Sequence, residues 1–307
     1  MTKKIILITL IIILNFNLKS NAEIIFNKKN AVEAGISFEY ANSSSYYDMN
    51  GDITVSLQDT VLATIQNKYI FEFRKYSIGV HIEYSILDDL GIYIKIPFNY
   101  YSLDEKYLKD SNGFYPIDSD SNFITRPSYS LFKPGYYALG ANYLLFSNIA
   151  FGVANLELRI PPGFHNGILN DPDYPFLSDG AFEILVGIDF GARFKKGSIE
   201  AGILYNYRDE ELADQIIFST EAALSTVENT RLFVKGKYVQ SLKSFDNPIP
   251  FDPRRTTIQE DYFSAGFGFG FKISNQFKTE LFYDVWLMGK NSMSLGKLGI
   301  NMDFILK

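Results

Sequence analysis

The chain has 307 residues, 47% of them hydrophobic and 16% aromatic (27 Phe, 21 Tyr and 1 Trp), with a formal net charge of −6 and 2 histidines. It has no cysteine, which excludes a lipoprotein anchor, a disulfide framework, an iron–sulfur cluster and thiol catalysis together. The basic residues are scattered rather than gathered into a patch suited to nucleic acid, while charge and composition suit a soluble protein as well as a membrane one.

Lys3-Lys4, the apolar run Ile5 to Leu14 and the small-residue site Ser20-Asn21-Ala22 read as a secretory signal peptide over residues 1–22, which places the start of the mature chain at Glu23. That run is shorter than the roughly 18 apolar residues a spanning helix needs, and no later stretch reaches that length. Residues 23–307 read as one large all-β domain. Apolar residues at every second position mark strands near 31–42, 67–86, 90–102, 134–146, 149–160, 178–194, 197–209, 214–226, 230–242, 259–273, 276–289 and 293–306.

The clearest alternation lies at the C-terminal end. Phe263, Ala265, Phe267, Phe269, Phe271 and Ile273 alternate with Ser264, Gly266, Gly268, Gly270 and Lys272. Phe277, Leu281, Tyr283, Val285 and Leu287 then oppose Lys278, Glu280, Asp284 and Trp286, and Leu298 to Leu306 repeats the pattern. Upstream, Ile92, Ile94, Ile96 and Phe98, and Phe182 to Phe194, do the same. Tyr69, Phe71 and Phe73 are out of phase with Tyr76, Ile78, Val80 and Ile82, which predicts a bulge in 67–86, and 149–160 raises the same expectation.

Strands that are greasy on one face need either a second layer or lipid. A secretory signal, an even number of strands and an aromatic-rich composition favour a transmembrane, antiparallel, up-and-down β-barrel of about twelve strands. Alternate connections are tight (87–89, 147–148, 195–196, 227–229 and 274–275) and most of the others are long. This matches short periplasmic turns and longer external loops if both termini are periplasmic. Tyr40, Tyr84, Tyr100, Tyr143, Tyr205 and Tyr238 fall in the outward phase near strand ends, where an interfacial girdle belongs.

The inward phase carries both signs of charge, with Glu183, Asp189, Arg193, Lys235, Lys278, Glu280 and Asp284 as candidate lumen charges. Such charges either pair and fill the lumen or shape permeation through it. Tyr93, Tyr101, Tyr136, Phe282 and Trp286 are candidate contacts for an apolar solute, and equally candidate fillers between the charges. Phe164, His165, Tyr174 and Phe176 belong to a Pro-rich external loop that reads either as an entry gate or as a rigid surface loop.

Enzyme chemistry is not expected. His81 is inward-facing with Ser77 and Ser85 each four positions away, about 13 Å along a strand and too far for one hydrogen bond. The two histidines lack a carboxylate pattern in sequence, so no metal and no cofactor are expected.

Three stretches resemble the outer-membrane barrels of the "meta-pathway of phenol degradation" family, often grouped with fatty-acid channels. They are Glu83 to Pro97 (EYSILDDLGIYIKIP), Leu139 to Gly163 with Pro161-Pro162-Gly163 in place of a Pro-Thr-Gly, and the hairpin-linked Phe182 to Leu242. The resemblance implies a passive channel for small hydrophobic or aromatic solutes in a Gram-negative outer membrane, without catalytic residues. Its expected partners are outer-membrane lipid, the solute, and the barrel-assembly machinery during biogenesis. It departs from the fatty-acid channels in leaving only some eight residues between Glu23 and the first strand, too few for a plug. The alternative is a closed structural barrel whose external loops bind a partner.

Overall fold

The computed structural model describes residues 29–47, 53–55, 69–108, 123–125, 129–162, 181–209, 212–227, 229–242, 260–290 and 292–306. The expected signal peptide and the residues Phe164, His165, Tyr174 and Phe176 lie outside the described residues. The wall consists of twelve strands: β1 (Val32–Ser43), β2 (Tyr69–Ser85), β3 (Leu90–Leu108), β4 (Tyr137–Ser147), β5 (Ala150–Ile160), β6 (Glu183–Phe194), β7 (Gly197–Arg208), β8 (Gln215–Val227), β9 (Thr230–Ser241), β10 (Asp261–Ser274), β11 (Phe277–Lys290) and β12 (Gly296–Leu306).

Each strand pairs antiparallel with the next, and β12 returns to β1 in an unbroken ladder from Val32↔Leu306 to Asn42↔Gly296. The sheet is therefore a closed barrel, which leaves no edge of unpaired N–H and C=O groups in hydrocarbon. Connections at the end bearing the termini are tight: only 195–196 join β6 to β7 and 275–276 join β10 to β11.

Residues paired across an antiparallel ladder share a face, so the register assigns every position to one side. Ile36 aligns with Met302 and Val80, Phe38 with Ile300 and Ile78, and Phe267 with Val234 and Tyr283. All of these large apolar residues but the half-buried Met302 are exposed around the outside, the surface that a lipid-facing barrel presents. Tyrosines gather on this face too, Tyr40 and Tyr76 with ring centroids 4.9 Å apart and Tyr76 and Tyr100 6.1 Å apart.

The expected bulge in 67–86 is absent. β2 keeps one register with β1 and with β3 from end to end. Phe73 instead faces inward, its ring 6.1 Å from Tyr101, because the lumen near that end is itself apolar. Leu103 and Met293 are buried there with Tyr46, Phe73 and Leu295 packed on them. Tyr46 belongs to a small three-stranded sheet of Ser45–Tyr47, Ile53–Val55 and Ser292–Met293.

The irregularity expected in 149–160 sits in its partner. β5 pairs regularly with β6, whereas the β4–β5 register slips between Leu144 and Phe146, leaving both Leu145 and Phe146 exposed outside. Another slip follows from Pro97. Lys95 pairs with Ala138 but Phe98 pairs with Pro134, so one extra residue lies between Tyr129–Pro134 and β4. The Pro97 carbonyl accepts the Gly135 N–H at 2.7 Å, so the ring nitrogen, which has no proton to donate, points to that same irregular side. A proline inside a sheet is accommodated at just such a bulge.

Candidate functional site in the lumen

Inward residues of β3 to β7 are joined by charge. Glu157 accepts from the Tyr93 hydroxyl at 2.7 Å, from Lys95 Nζ at 3.1 Å and from Arg159 Nε at 2.6 Å. Arg159 also reaches Glu183 at 3.2 Å, and Arg208 Nε lies 3.5 Å from the other oxygen of Glu183. Glu183 and Arg208 are almost fully buried, and a buried carboxylate is tolerated only when paired in this way.

A second network crosses β8 to β12 and reaches β1. Arg231 bridges Glu221 and Glu280. Lys235 and Lys297 meet on Asp284 at 3.1 and 3.4 Å, and Lys297 extends to Glu39 at 3.6 Å. The Phe282 ring lies between the two lysines, 4.0 Å from Lys235 Nζ and 5.2 Å from Lys297 Nζ. It packs with Ala223 and Phe233 at 5% exposure. Gly299 makes that seat possible, because a Cβ there would overlap the Phe282 ring.

Each network borders a cavity among the described residues of the lumen wall. One, of about 340 Å³, lies against β1 to β5 and is lined by Lys75, Asn99, Tyr101, Tyr136, Glu157 and Arg159 among others. The other, of about 490 Å³, lies against β6 to β12, with Asp189, Lys235, Lys237, Tyr262, Asp284 and Trp286 in its wall. Trp286 and Tyr262 sit with ring centroids 5.3 Å apart over buried Leu185, Ile217 and Val239.

The structure thus divides the candidate residues. Tyr101 and Tyr136 line the smaller cavity; Trp286, Asp189, Lys235 and Asp284 line the larger. Tyr93 and Glu183 are tied into the first network and Phe282 and Glu280 into the second. Arg193 lies 4.6 Å above the Phe151 ring, and Lys278 stands opposite Asp303 in the β11–β12 ladder. Asp189 accepts a 2.6 Å hydrogen bond from Asn155.

Among the inward rings that escaped the sequence reading are Phe151, Tyr262 and Phe233, although each occupies the phase opposite to the outward residues beside it. His81 faces neither Ser77 nor Ser85. Its Nε2 lies 3.3 Å from Asp303 Oδ1, a carboxylate that linear spacing hides because it comes from the other end of the chain.

No protein-family model and no curated protein sequence matches the chain. Among solved structures it is similar to an outer membrane channel from Pseudomonas putida F1, at 10% identity and a TM-score of 0.60, over 94% of this chain and 100% of that one. The likeness establishes the class of fold, a transmembrane β-barrel of the outer-membrane type. The transport unit of the Escherichia coli autotransporter AIDA-I (7% identity, TM-score 0.48, 92% of this chain and 93% of that one) resembles the chain more loosely. So does the Pseudomonas putida toluene transporter TodX (11% identity, TM-score 0.45, 91% and 90%). Neither bears on function at that distance.

Proposed function

We propose that the protein is a passive outer-membrane channel for small hydrophobic or aromatic solutes. The observation that carries this reading is the larger lumen cavity inside a closed barrel, where the half-buried Trp286 and the edge of Tyr262 line open space and the buried Leu185, Ile217 and Val239 back them. Rings offer dispersion and stacking to an aromatic guest, and the charged rim supplies polar orientation. In this reading lipid surrounds the outward band, the barrel-assembly machinery inserts the chain, and solute passes down its gradient without chemistry.

Single-channel recording of the refolded protein in a planar bilayer, with small aromatic compounds titrated in, tests it. Small stable steps that those compounds block are expected. Verified insertion without conductance overturns the channel and favours the second reading, a closed barrel acting through its external loops. That reading draws on the ion pairs of Arg159, Arg231 and Asp284, which engage inward charges with one another.

A further inference from the structure

Gly35 is the centre of a three-strand row on the lumen wall. Its partner on β2 is His81 and its partner on β12 is Asp303. The imidazole and the carboxylate therefore flank a residue without a side chain, and a Cβ at Gly35 would overlap both of them. The glycine lets them approach across β1. Glu33, two residues earlier on the same face, completes the group: one donor atom from each of Glu33, His81 and Asp303 lies within 4.8 Å of the other two, and all three residues are half-buried.

We infer that Glu33, His81 and Asp303 form a binding site for a divalent cation of the zinc type, set in the lumen where the first and last strands meet. One imidazole nitrogen and two carboxylate oxygens are a donor set that zinc accepts, with a fourth position left for water. The spacing fits. Two ligands each about 2.0–2.1 Å from a tetrahedral ion stand roughly 3.3 Å from each other, and His81 Nε2 is 3.3 Å from Asp303 Oδ1. That oxygen is shielded from solvent and has no hydrogen-bond partner among the described residues.

The surrounding charge points the same way. Glu83 stands directly opposite Glu33 in the β1–β2 ladder, so a third carboxylate borders the group, and like charges placed opposite each other favour a cation nearby. Of the neighbouring lysines, Lys278 stands opposite Asp303 and Lys95 opposite His81, but Lys95 is drawn to Glu157 at 3.1 Å. A bound ion ties β1, β2 and β12 together across the closing seam, so it stabilises the closed barrel by mass action.

The test uses the full chain folded in detergent micelles, stripped with chelator and titrated with zinc chloride by calorimetry, with the unfolding temperature followed alongside. One saturable site and a zinc-dependent rise in unfolding temperature are expected. His81→Asn and Asp303→Asn should each weaken binding by about tenfold or more and remove the rise. Heat-modifiable gel mobility reports whether each variant is folded. Should either fail to fold, Glu33→Gln, which leaves the His81–Asp303 contact intact, must lose affinity instead. No zinc binding, or equal binding by folded variants, overturns the site and leaves an ordinary histidine–carboxylate contact. None of these readouts depends on conductance.

Discussion

The two sides of the lumen follow the same alternation of residues to opposite ends. Against β3 to β7 the polar groups saturate one another: Glu157 takes three donors, and Glu183 lies between two arginines. Against β9 to β11 two rings lie side by side over an aliphatic floor, and Lys237 Nζ sits 5.6 Å above the Tyr262 ring. The difference separates bracing from recognition. A wall whose carboxylates Glu157 and Glu183 are taken up by neighbouring cations offers a guest little, while a half-buried indole beside a cavity offers it surface.

The strongest way to break this comparison is to unpair the braced side. Glu157→Ala removes the shared partner of Lys95 and the Tyr93 hydroxyl and leaves Arg159 with Glu183 alone, and it should cost about 3–5 kcal/mol of folding stability by reversible denaturant unfolding in micelles. A loss below about 1 kcal/mol would mean that the network is ornamental. Trp286→Ala should cost about 3 kcal/mol and weaken block by aromatic compounds about two- to tenfold, whereas Glu157→Ala should leave that block unchanged. Equal effects on block from both variants would erase the distinction between the two sides.

A third substitution tests the outer face against the inner one. Phe269→Arg places a charge in the outward band, where Phe269 is 41% exposed, and should destabilise the barrel by about 2 kcal/mol in a lipid bilayer. Insertion as stable as that of the unmodified chain would show that this face does not meet lipid. The smallest effect is expected at Asp189, in the wall of the larger cavity. Asp189→Lys should change stability by less than about 1 kcal/mol while shifting reversal potentials toward anion preference. The nearly buried Glu183 should respond in the opposite sense, losing stability on Glu183→Gln with no change in selectivity.

All twelve strands were legible because a strand in lipid must alternate, and alternation needs no tertiary information to be seen. The faces were legible for the same reason, from Ile36 to Phe304. The bulges were not. The phase change at Phe73 looked like an inserted residue, yet it reflects a lumen apolar enough at that end to accept a phenylalanine. Slips such as those at Leu145, opposite Pro97 and at Leu287, where Phe263 pairs with Met288 but Ser264 with Trp286, depend on what the neighbouring strand does. Parity likewise identified inward charges without showing which of them meet. The pairing of Lys297 with Glu39, or of His81 with Asp303, is set by strand register across the closing seam, which no local spacing records.

That seam also governs how the molecule can be made. The ladder that closes the barrel joins Val32 on the first strand of the wall to Leu306 on the last, so its hydrogen bonds span the greatest sequence separation in the barrel. A folding chain meets the entropy of that closure before it gains the contacts. Until β12 arrives, β1 and β11 each present a bare strand edge, which hydrocarbon does not tolerate. Partly assembled barrels are therefore poor intermediates within a bilayer, and synthesis of the final eleven-residue strand (Gly296–Leu306) sets the earliest moment at which the wall can become continuous.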